Sequence, residues 1–484
     1  MLRTITIILL VRLSFHYSVA QDSHYWSSNY GPGGLMTPGA TIADTKDSGV
    51  FFYNPALLAI RPKTALEFSG SLYQIESTRI IDALGKGKDL KSIAGGISPQ
   101  MHSGSFKLKK NERLVLAYAL INNYILSNRM NQRQDTKMNV LNDAYSPGSE
   151  YYIGQFSEVN QVSEISGVFS VGYKLSEKLY VGASLEAQVR RKTFDIEYSG
   201  RALLNQAVGA KPLLFPEFSN TEAVYRVDYT QLGLKPKIGF AYNQARHHVG
   251  LLATLPLMRV FSRGTLMTDY VVSNIRLAPT VEPINLLANT RQEKLTSNYK
   301  TPFSLAAGYS YDYGRGRFYL AAEYFARLKD YSIITPRNEY FIRSDTSGSS
   351  STSTANSLKL KDVRKAVMNV AVGISFPVKP SVMGYVSIRT DFSYADEKSF
   401  ADTGGYVAYT TNWNSYHAQL GANIRRPKFS FRPGLLLSYG TTNAFKPEVN
   451  FDTPKESNLL LGDPVNAKVN HVAIGLLLSY IHNL

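Results

Sequence analysis

Apolar and polar side chains alternate along most of this sequence, and the alternation has a period of two. The clearest case runs from Val181 to Arg190, where valine, alanine and leucine alternate with glycine, serine and longer polar residues. Because successive side chains of a β-strand point to opposite faces, each such segment has one apolar face and one small or polar face. The pattern therefore predicts an all-β chain.

Two kinds of connection join the alternating segments. Six are short polar turns and seven are longer polar stretches, so thirteen connections join fourteen strands. An even strand count with short turns at one end and long loops at the other is typical of bacterial outer-membrane barrels. The sequence therefore predicts a 14-stranded antiparallel transmembrane β-barrel. The predicted long loops are 79–96, 131–158, 201–222, 277–293, 337–356, 397–410 and 444–466.

The prediction is weakest in two strands and leaves one alternative open. Alternation is poor in the second strand, predicted at 97–108, and in the seventh, predicted at 247–275. A large soluble β-sandwich or propeller would also show apolar-in, polar-out alternation. The regular succession of short and long connections favours the membrane barrel over this alternative.

The composition excludes several other classes of protein. The chain has 484 residues, of which 44% are hydrophobic, and no run of eighteen apolar residues occurs. A polytopic helical membrane protein needs roughly 20 apolar residues for each span. With no cysteine, cysteine-ligated metal centres are excluded as well. The 32 tyrosines fit the aromatic girdles that border a barrel's membrane-spanning band.

The first residues have the features of a secretory signal peptide. A basic start is followed by a short apolar run and by small residues that end at Ala20. We therefore expect residues 1–20 to be removed on export and the mature protein to lie in the outer membrane. The formal charge of +16 would favour nucleic-acid binding in a soluble protein, but an exported barrel meets no nucleic acid.

A short motif precedes the first predicted strand. It has a glycine-alanine start, an alanine-aspartate step, a pair of aromatics and then Asn-Pro-Ala. This order resembles the hatch of the FadL/TodX-type outer-membrane transporters for long-chain fatty acids and hydrophobic compounds. The alternative is that Asn54-Pro55 only turns the chain into the first strand. The matching positions are Gly39, Ala40, Ala43, Asp44, Phe52, Tyr53, Asn54, Pro55 and Ala56.

The resemblance implies a domain organisation and a function. A hatch formed by residues 21–63 would close a barrel formed by residues 64–484, with Asn54, Pro55 and Ala56 against the third strand. The barrel would take up hydrophobic compounds such as long-chain fatty acids passively across the outer membrane of a Gram-negative cell. Some barrels of this architecture instead serve secretion, so the alternative is a type nine secretion shuttle or surface-assembly component with secretion-machinery partners.

The third predicted strand is apolar on both faces. Val115, Ala117, Ala119 and Ile121 form the face that alternates with the leucines and Tyr118. This inner face either packs on a plug or lines a hydrophobic conduit for the ligand. The Asn122-Asn123 pair then interrupts the apolar run, at a place where a bulge or an inward kink could open the ladder.

The remaining chemistry-bearing residues have simpler interpretations. We predict that Arg190 and Arg191 lie at the loop end of a strand, where they would contact lipopolysaccharide phosphates. An inward Arg190 could instead bind a fatty-acid carboxylate. The eight histidines show no metal-binding spacing with acids, and neither a nucleophile elbow nor a phosphate loop occurs. The sequence therefore predicts no enzyme activity, no metal and no cofactor. Its expected partners are a hydrophobic small molecule and outer-membrane lipids.

Overall fold

The fold was analysed in a computed structural model of the chain. The predicted signal peptide, residues 1–20, lies outside the residues that the structure describes, as do Gly39 and Asp44 of the N-terminal motif. The described residues are 23–27, 40–43, 52–60, 65–96, 100–108, 111–206, 216–278, 281–343, 353–396, 404–407 and 412–483.

The described residues form fourteen barrel strands, three of which are each divided into two parts. They are β1 (Ala65–Ile81), β2a (Leu90–Gly96), β2b (Gln100–Leu108), β3 (Asn111–Met138), β4 (Glu150–Lys174), β5 (Leu179–Leu203), β6 (Phe218–Gln244), β7a (His247–Thr254), β7b (Met258–Ile275), β8a (Ile284–Leu295), β8b (Ser304–Asp312), β9 (Arg317–Phe325), β10 (Val367–Lys379), β11 (Val382–Asp391), β12 (Asn414–Arg425), β13 (Phe429–Phe445) and β14 (Ala467–Asn483).

Each strand pairs antiparallel with the next strand along the chain, and the last returns to the first. The ladder between β1 and β14 runs from the pair Ala65–Asn483 to the pair Ile81–Lys468, which closes the sheet. The first and last strands are thereby paired with each other, as in the closed barrels that span membranes. The predicted all-β, 14-stranded antiparallel barrel is therefore confirmed.

Smaller elements lie outside the barrel wall. No helix among the described residues is long and apolar enough to cross a membrane. Three short strands form a separate sheet of their own. These strands are Leu328–Ile334, Leu360–Arg364 and Tyr406–Val407, and a two-residue strand, Ile342–Arg343, pairs with β8a. The helical elements are one α-helical turn, Thr354–Ser357, and 3₁₀ turns at Ala40–Ala43, Pro55–Ile60 and Glu456–Asn458.

A belt of exposed apolar side chains surrounds the outer face of the barrel. On β4, β5 and β6 the belt ends in one ladder row, formed by Ile165, Val189 and Leu232. Exposed apolar residues in a belt around a closed barrel form a lipid-facing surface, so the protein is a membrane-spanning barrel. Members of the belt include Tyr118, Leu120, Phe169, Leu185, Ile238, Leu251, Leu305, Met368, Ile388, Leu420, Leu437 and Leu476.

The longest strands continue well beyond this belt. β3, β4, β5 and β6 contain 28, 25, 25 and 27 residues, whereas about 9–11 residues suffice to cross a membrane. Beyond Val189 the outward-facing residues of β5 are Arg191, Thr193 and Asp195. The wall therefore projects from the membrane at the long-loop end as a polar-faced sheet.

The main hydrophobic core lies inside this projecting half. Inward-facing aromatics of the long strands, such as Tyr152 and Phe194, pack with loop residues that include Phe451 and Leu460. The hydroxyl of Tyr152 donates a hydrogen bond to the carbonyl oxygen of Leu460 at 2.8 Å. The described long loops thus fold inward and fill the mouth of the barrel.

Several predicted boundaries need correction. The predicted loops 131–158 and 201–222 are too long, since β3 runs to Met138, β4 begins at Glu150 and β6 begins at Phe218. The second strand begins at Leu90 rather than at residue 97, and both it and the seventh strand are divided. β5 runs to Leu203, so Arg190 and Arg191 lie in the middle of a strand and not at its loop end. The physical reason is that apolar residues on the outward face stop at the edge of the belt, whereas the strand continues outside the membrane with polar residues on that face.

Candidate functional site

The N-terminal segment, defined as the described residues 23–27, 40–43 and 52–60, lies inside the barrel. Asn54 is fully buried, and both the nitrogen and the oxygen of its side-chain amide form hydrogen bonds. Its Nδ2 donates to the carbonyl oxygens of Ile42 at 2.9 Å and Phe240 at 3.1 Å, and its Oδ1 accepts from the Ala56 N–H at 3.1 Å. One side chain thus joins two parts of the segment to the barrel wall.

A row of glycines on the inner wall makes room for this segment. On β4 and β5 these are Gly172 and Gly182, which are ladder partners, and Gly182 is in turn the partner of Gly239 on β6. Gly250 on β7a and Gly308 on β8b are also ladder partners. A Cβ atom at any of the five would come within 3.0 Å of an atom of the N-terminal segment. The segment therefore lies in a groove that side chains would fill.

The predicted hatch residues and the predicted apolar face of the third strand lie close together. Other residues of the N-terminal segment make the contact with that face. Pro55 and Ala56 are buried against Gly182 of β5. Phe52 and Leu58 of the segment pack in one apolar cluster with the inner face of β3 and with Met101 and Val168. The four predicted lining residues, Val115, Ala117, Ala119 and Ile121, are all buried in that cluster.

Between the second and third strands, the described residues form only part of a ladder. Among the described residues, the ladder between β2b and β3 ends at the pair Gln100–Asn122, and β2a has ladder pairs with β1 only. Further out, contact returns through side chains, with the Arg129 N–H donating to Ser92 Oγ at 3.1 Å. A Cβ atom at Gly96 would meet nothing within 4 Å. We call this interruption the side gap.

At the side gap the third strand also changes which of its residues face the interior of the barrel. The register of the β3–β4 ladder shifts between Tyr124 and Leu126, directly after the Asn122-Asn123 pair. Before the shift the buried residues have odd numbers, such as Ile121, and after it they have even numbers, such as Asn128 and Met130. One extra residue in a strand moves all later side chains to the opposite face. The bulge therefore lets one strand line two different parts of the interior.

A cavity of about 230 Å³ lies within the barrel, bounded by the N-terminal segment and by the strands opposite it. Ile121, which adjoins the last ladder pair before the side gap, is part of its wall. Its aromatic and aliphatic lining comprises Tyr25, Trp26, Ile42, Phe52, Tyr53, Leu252, Tyr299, Phe325 and Tyr394. Its charged lining comprises Glu164, Glu186, Arg190, Lys235, Lys237, Glu323, Arg364 and Arg389.

Most of the charged groups are already paired. Lys235 and Lys237 both form ion pairs with Glu186, at 3.1 Å and 3.2 Å. Lys237 also lies over the ring of Phe52, 3.8 Å from its centroid. These contacts satisfy buried charges that would otherwise be costly to hold away from water.

Arg190 lies inside the barrel and Arg191 outside it. Arg190 pairs with Glu164 at 2.5 Å, and its guanidinium stacks 4.0 Å from the ring centroid of Tyr299. The prediction that Arg190 contacts lipopolysaccharide at the rim is therefore wrong, because its side chain is only 3% exposed. Arg191 is exposed in the first row beyond the apolar belt.

Residues 23–27 hold the segment to the far wall, and sequence reasoning did not predict this contact. The indole Nε1 of Trp26 donates to Glu323 Oε2 at 2.7 Å, and its backbone N–H donates to Asp391 Oδ1 at 3.0 Å. Trp26 is one of two tryptophans in the chain, which was the only local signal available. The described residues contain no cluster of His, Asp and Glu suited to a metal ion.

The closed barrel, its apolar belt and its enclosed cavity define a membrane-spanning β-barrel with a lined lumen. No protein-family model and no curated protein matches the sequence. Among solved structures, a FadL homologue of Pseudomonas aeruginosa is similar with a TM-score of 0.59 at 12% identity, over 94% of this chain and 98% of that one.

Two toluene transporters are similar to a comparable degree. Pseudomonas putida TodX has a TM-score of 0.55 at 12% identity, over 97% of this chain and 100% of that one. Ralstonia pickettii TbuX has a TM-score of 0.52 at 12% identity, over 94% and 99%. The chain therefore has the fold of the FadL-type barrels along nearly its whole length.

Proposed function

We propose that this protein is an outer-membrane channel for the passive uptake of hydrophobic compounds, with long-chain fatty acids as one candidate class. The observation that carries the proposal is the side gap beside Ile121. Ile121 lines the internal cavity and adjoins the last ladder pair before the gap, which supports a passage from the cavity toward the membrane. The solved barrels with the same fold include transporters named for toluene, which supports a hydrophobic cargo.

The contacts suggest a route. The described long loops fill the outer mouth, so a ligand enters when this loop cluster opens. It then lies in the cavity between the N-terminal segment and β3, and it leaves through the side gap toward the membrane. The N-terminal segment acts as the hatch that closes the path toward the short-turn end, with residues 21–63 as hatch and 64–484 as barrel.

The location follows from the same proposal. In this proposal residues 1–20 direct export, and the apolar belt supports a location in the outer membrane of a Gram-negative cell. Arg191, in the first polar row beyond the belt, contacts the phosphates of lipopolysaccharide.

Mass spectrometry of ligand bound to the purified barrel tests the proposal. We expect the protein, extracted in a mild detergent, to release an elongated apolar compound. Ile121→Gln should lower its occupancy, because Ile121 lines the cavity. Leu120→Gln is the matched control, because Leu120 faces outward and is 55% exposed. Absence of any apolar compound, or equal occupancy in both variants, would count against uptake through this cavity.

A second candidate function is a secretion shuttle that holds proteins at the cell surface. It rests on one observation, a row of exposed apolar side chains on the projecting wall, far from the belt. The row consists of the ladder neighbours Tyr151, Leu203 and Phe218, which are 46%, 42% and 54% exposed. Recovery of secreted proteins or translocon components with the wild type, and their loss with Phe218→Ser, would favour this function.

A further inference from the structure

Arg389 is a buried cation on the cavity wall whose hydrogen-bonding capacity is only partly used. It lies on β11, its side chain is 3% exposed, and it lines the same cavity as Phe52 and Ile121. Its Nη1 donates to the side-chain oxygen of Gln419 at 3.3 Å. Its Nε and Nη2 atoms are buried and have no partner among the described residues.

The two unpartnered nitrogens share one edge of the guanidinium group. Their N–H bonds point in nearly the same direction, with the spacing of two oxygens on one carboxylate. This is the arrangement in which arginine forms a bidentate, charge-assisted pair. Buried donors of a charged group are costly to leave without partners, so this edge is suited to an oxyanion brought by a ligand.

The other cations of the cavity differ from Arg389 in having acidic partners. Arg190 pairs with Glu164 at 2.5 Å, and Arg364 pairs with Asp362 at 2.9 Å. Lys235 and Lys237 share Glu186. Among the described residues, no carboxylate lies within ion-pair distance of Arg389. Asp391, two residues further along β11, interacts with it electrostatically and accepts hydrogen bonds from Trp26 and Asn369.

We propose that Arg389 binds the anionic head, a carboxylate, of an amphiphilic ligand whose apolar part lies against Phe52 and Ile121. The inference rests on the proposed uptake function and specifies its substrate class. Such a site would distinguish the lumen of this barrel from the lumen of a barrel that carries neutral hydrocarbons, because a hydrocarbon would leave the Nε and Nη2 donors unpaired. Arg389 is therefore the residue that selects acids over neutral compounds of the same shape.

The test compares two probes on the full-length barrel in lipid nanodiscs. One probe is a pyrene-labelled alkanoic acid, and the other is the pyrene-labelled alcohol of the same chain length. We expect the wild type to bind the acid at least about tenfold more tightly than the alcohol, because charge-assisted hydrogen bonds are stronger than those between neutral groups. Arg389→Gln should weaken binding of the acid much more than binding of the alcohol, so that the ratio of the two affinities falls toward one.

Two further variants keep the test decisive. Arg389→Lys retains the charge without the two-donor edge and should keep only part of the preference, even if Arg389→Gln folds poorly. Arg191→Gln removes an equal charge from the outer face and should leave the preference intact. Equal binding of acid and alcohol by the wild type, or an undiminished preference in Arg389→Gln, would overturn the inference. Failure of both probes to bind would overturn the uptake function itself.

Discussion

The side-chain amide of Asn54 donates a hydrogen bond to the backbone carbonyl oxygen of Phe240 on β6, at 3.1 Å. The same amide group donates to Ile42 and accepts from Ala56. A single buried residue therefore links two stretches of the N-terminal segment to the wall. If the segment is a hatch, Asn54 is the residue that holds it in place.

Replacement of Asn54 should loosen the segment. Asn54→Ala leaves the buried carbonyl groups of Ile42 and Phe240 without this donor, at a cost of about 1–3 kcal/mol. Because the chain has no cysteine, a Leu57→Cys reporter can be labelled alone. We expect faster labelling of Leu57→Cys in the Asn54→Ala background. An unchanged labelling rate would show that these hydrogen bonds do not hold the segment.

The glycine row should be intolerant of side chains. In Gly182→Ala the new Cβ would lie within 3.0 Å of backbone atoms of Pro55 and Ala56, which cannot rotate away. Overpacking of this kind costs about 1–3 kcal/mol, so labelling of the Leu57→Cys reporter should again be faster. Gly167→Ala is the control, since its Cβ would meet nothing within 4 Å. Equal labelling in the two variants would contradict the docked arrangement.

A contact between two long loops should depend on pH. Burial alone would raise the pKa of the Asp452 carboxyl, but hydrogen bonds from Lys88 and from the Lys86 N–H outweigh burial and lower this pKa. A lowered carboxyl pKa gives stability that is present above the unfolded-state value, about 3.9, and lost as the pH falls below it. Amide hydrogen exchange at Phe451, which donates to the Leu84 carbonyl oxygen at 2.8 Å, reports on this contact.

We expect protection of the Phe451 amide to fall as the pH drops through the titration of Asp452, after correction for intrinsic exchange. Asp452→Asn should show low protection at every pH. Protection that is independent of pH in the wild type would refute this assignment.

Arg191 should affect the binding of lipopolysaccharide. Arg191→Glu reverses the charge in the first polar row beyond the belt, so the amount of lipopolysaccharide that co-purifies should fall. Arg315→Glu makes the same change in an exposed short turn at the opposite end of the barrel and should have no effect. Equal losses, or no loss, in the two variants would argue against a contact at Arg191.

The strand pattern was predictable because it is local, and its limits have a physical cause. The alternation from Val181 to Val189 marks the part of β5 that faces lipid, and it identified the strand correctly. Beyond Val189 the outward face is polar, so Arg191 was predicted to contact lipopolysaccharide at the loop end of the strand, whereas the strand continues to Leu203. Apolar alternation therefore indicates the extent of the membrane belt and not the length of the strand.

The cavity could not be predicted from local sequence patterns. Its wall combines Trp26 with Glu323 and Arg389, residues that are hundreds of positions apart and meet only when the barrel closes. The glycine row has the same character, because Gly182 and Gly239 become neighbours only through the register of β5 and β6. The Asn122-Asn123 pair was a useful local signal, since the ladder register shifts immediately after it.

The most direct test of the account is uptake of a fluorescent long-chain fatty acid by cells that lack their own transporter of this kind. Cells that express the wild type should take up the probe faster than cells with an empty vector. Gly96→Trp should reduce uptake toward the empty-vector rate by filling the side gap, while Gly167→Trp, with equal open space on the lipid face, should not. No uptake above the empty vector, or full uptake by Gly96→Trp, would contradict the proposal that hydrophobic compounds pass through the side gap.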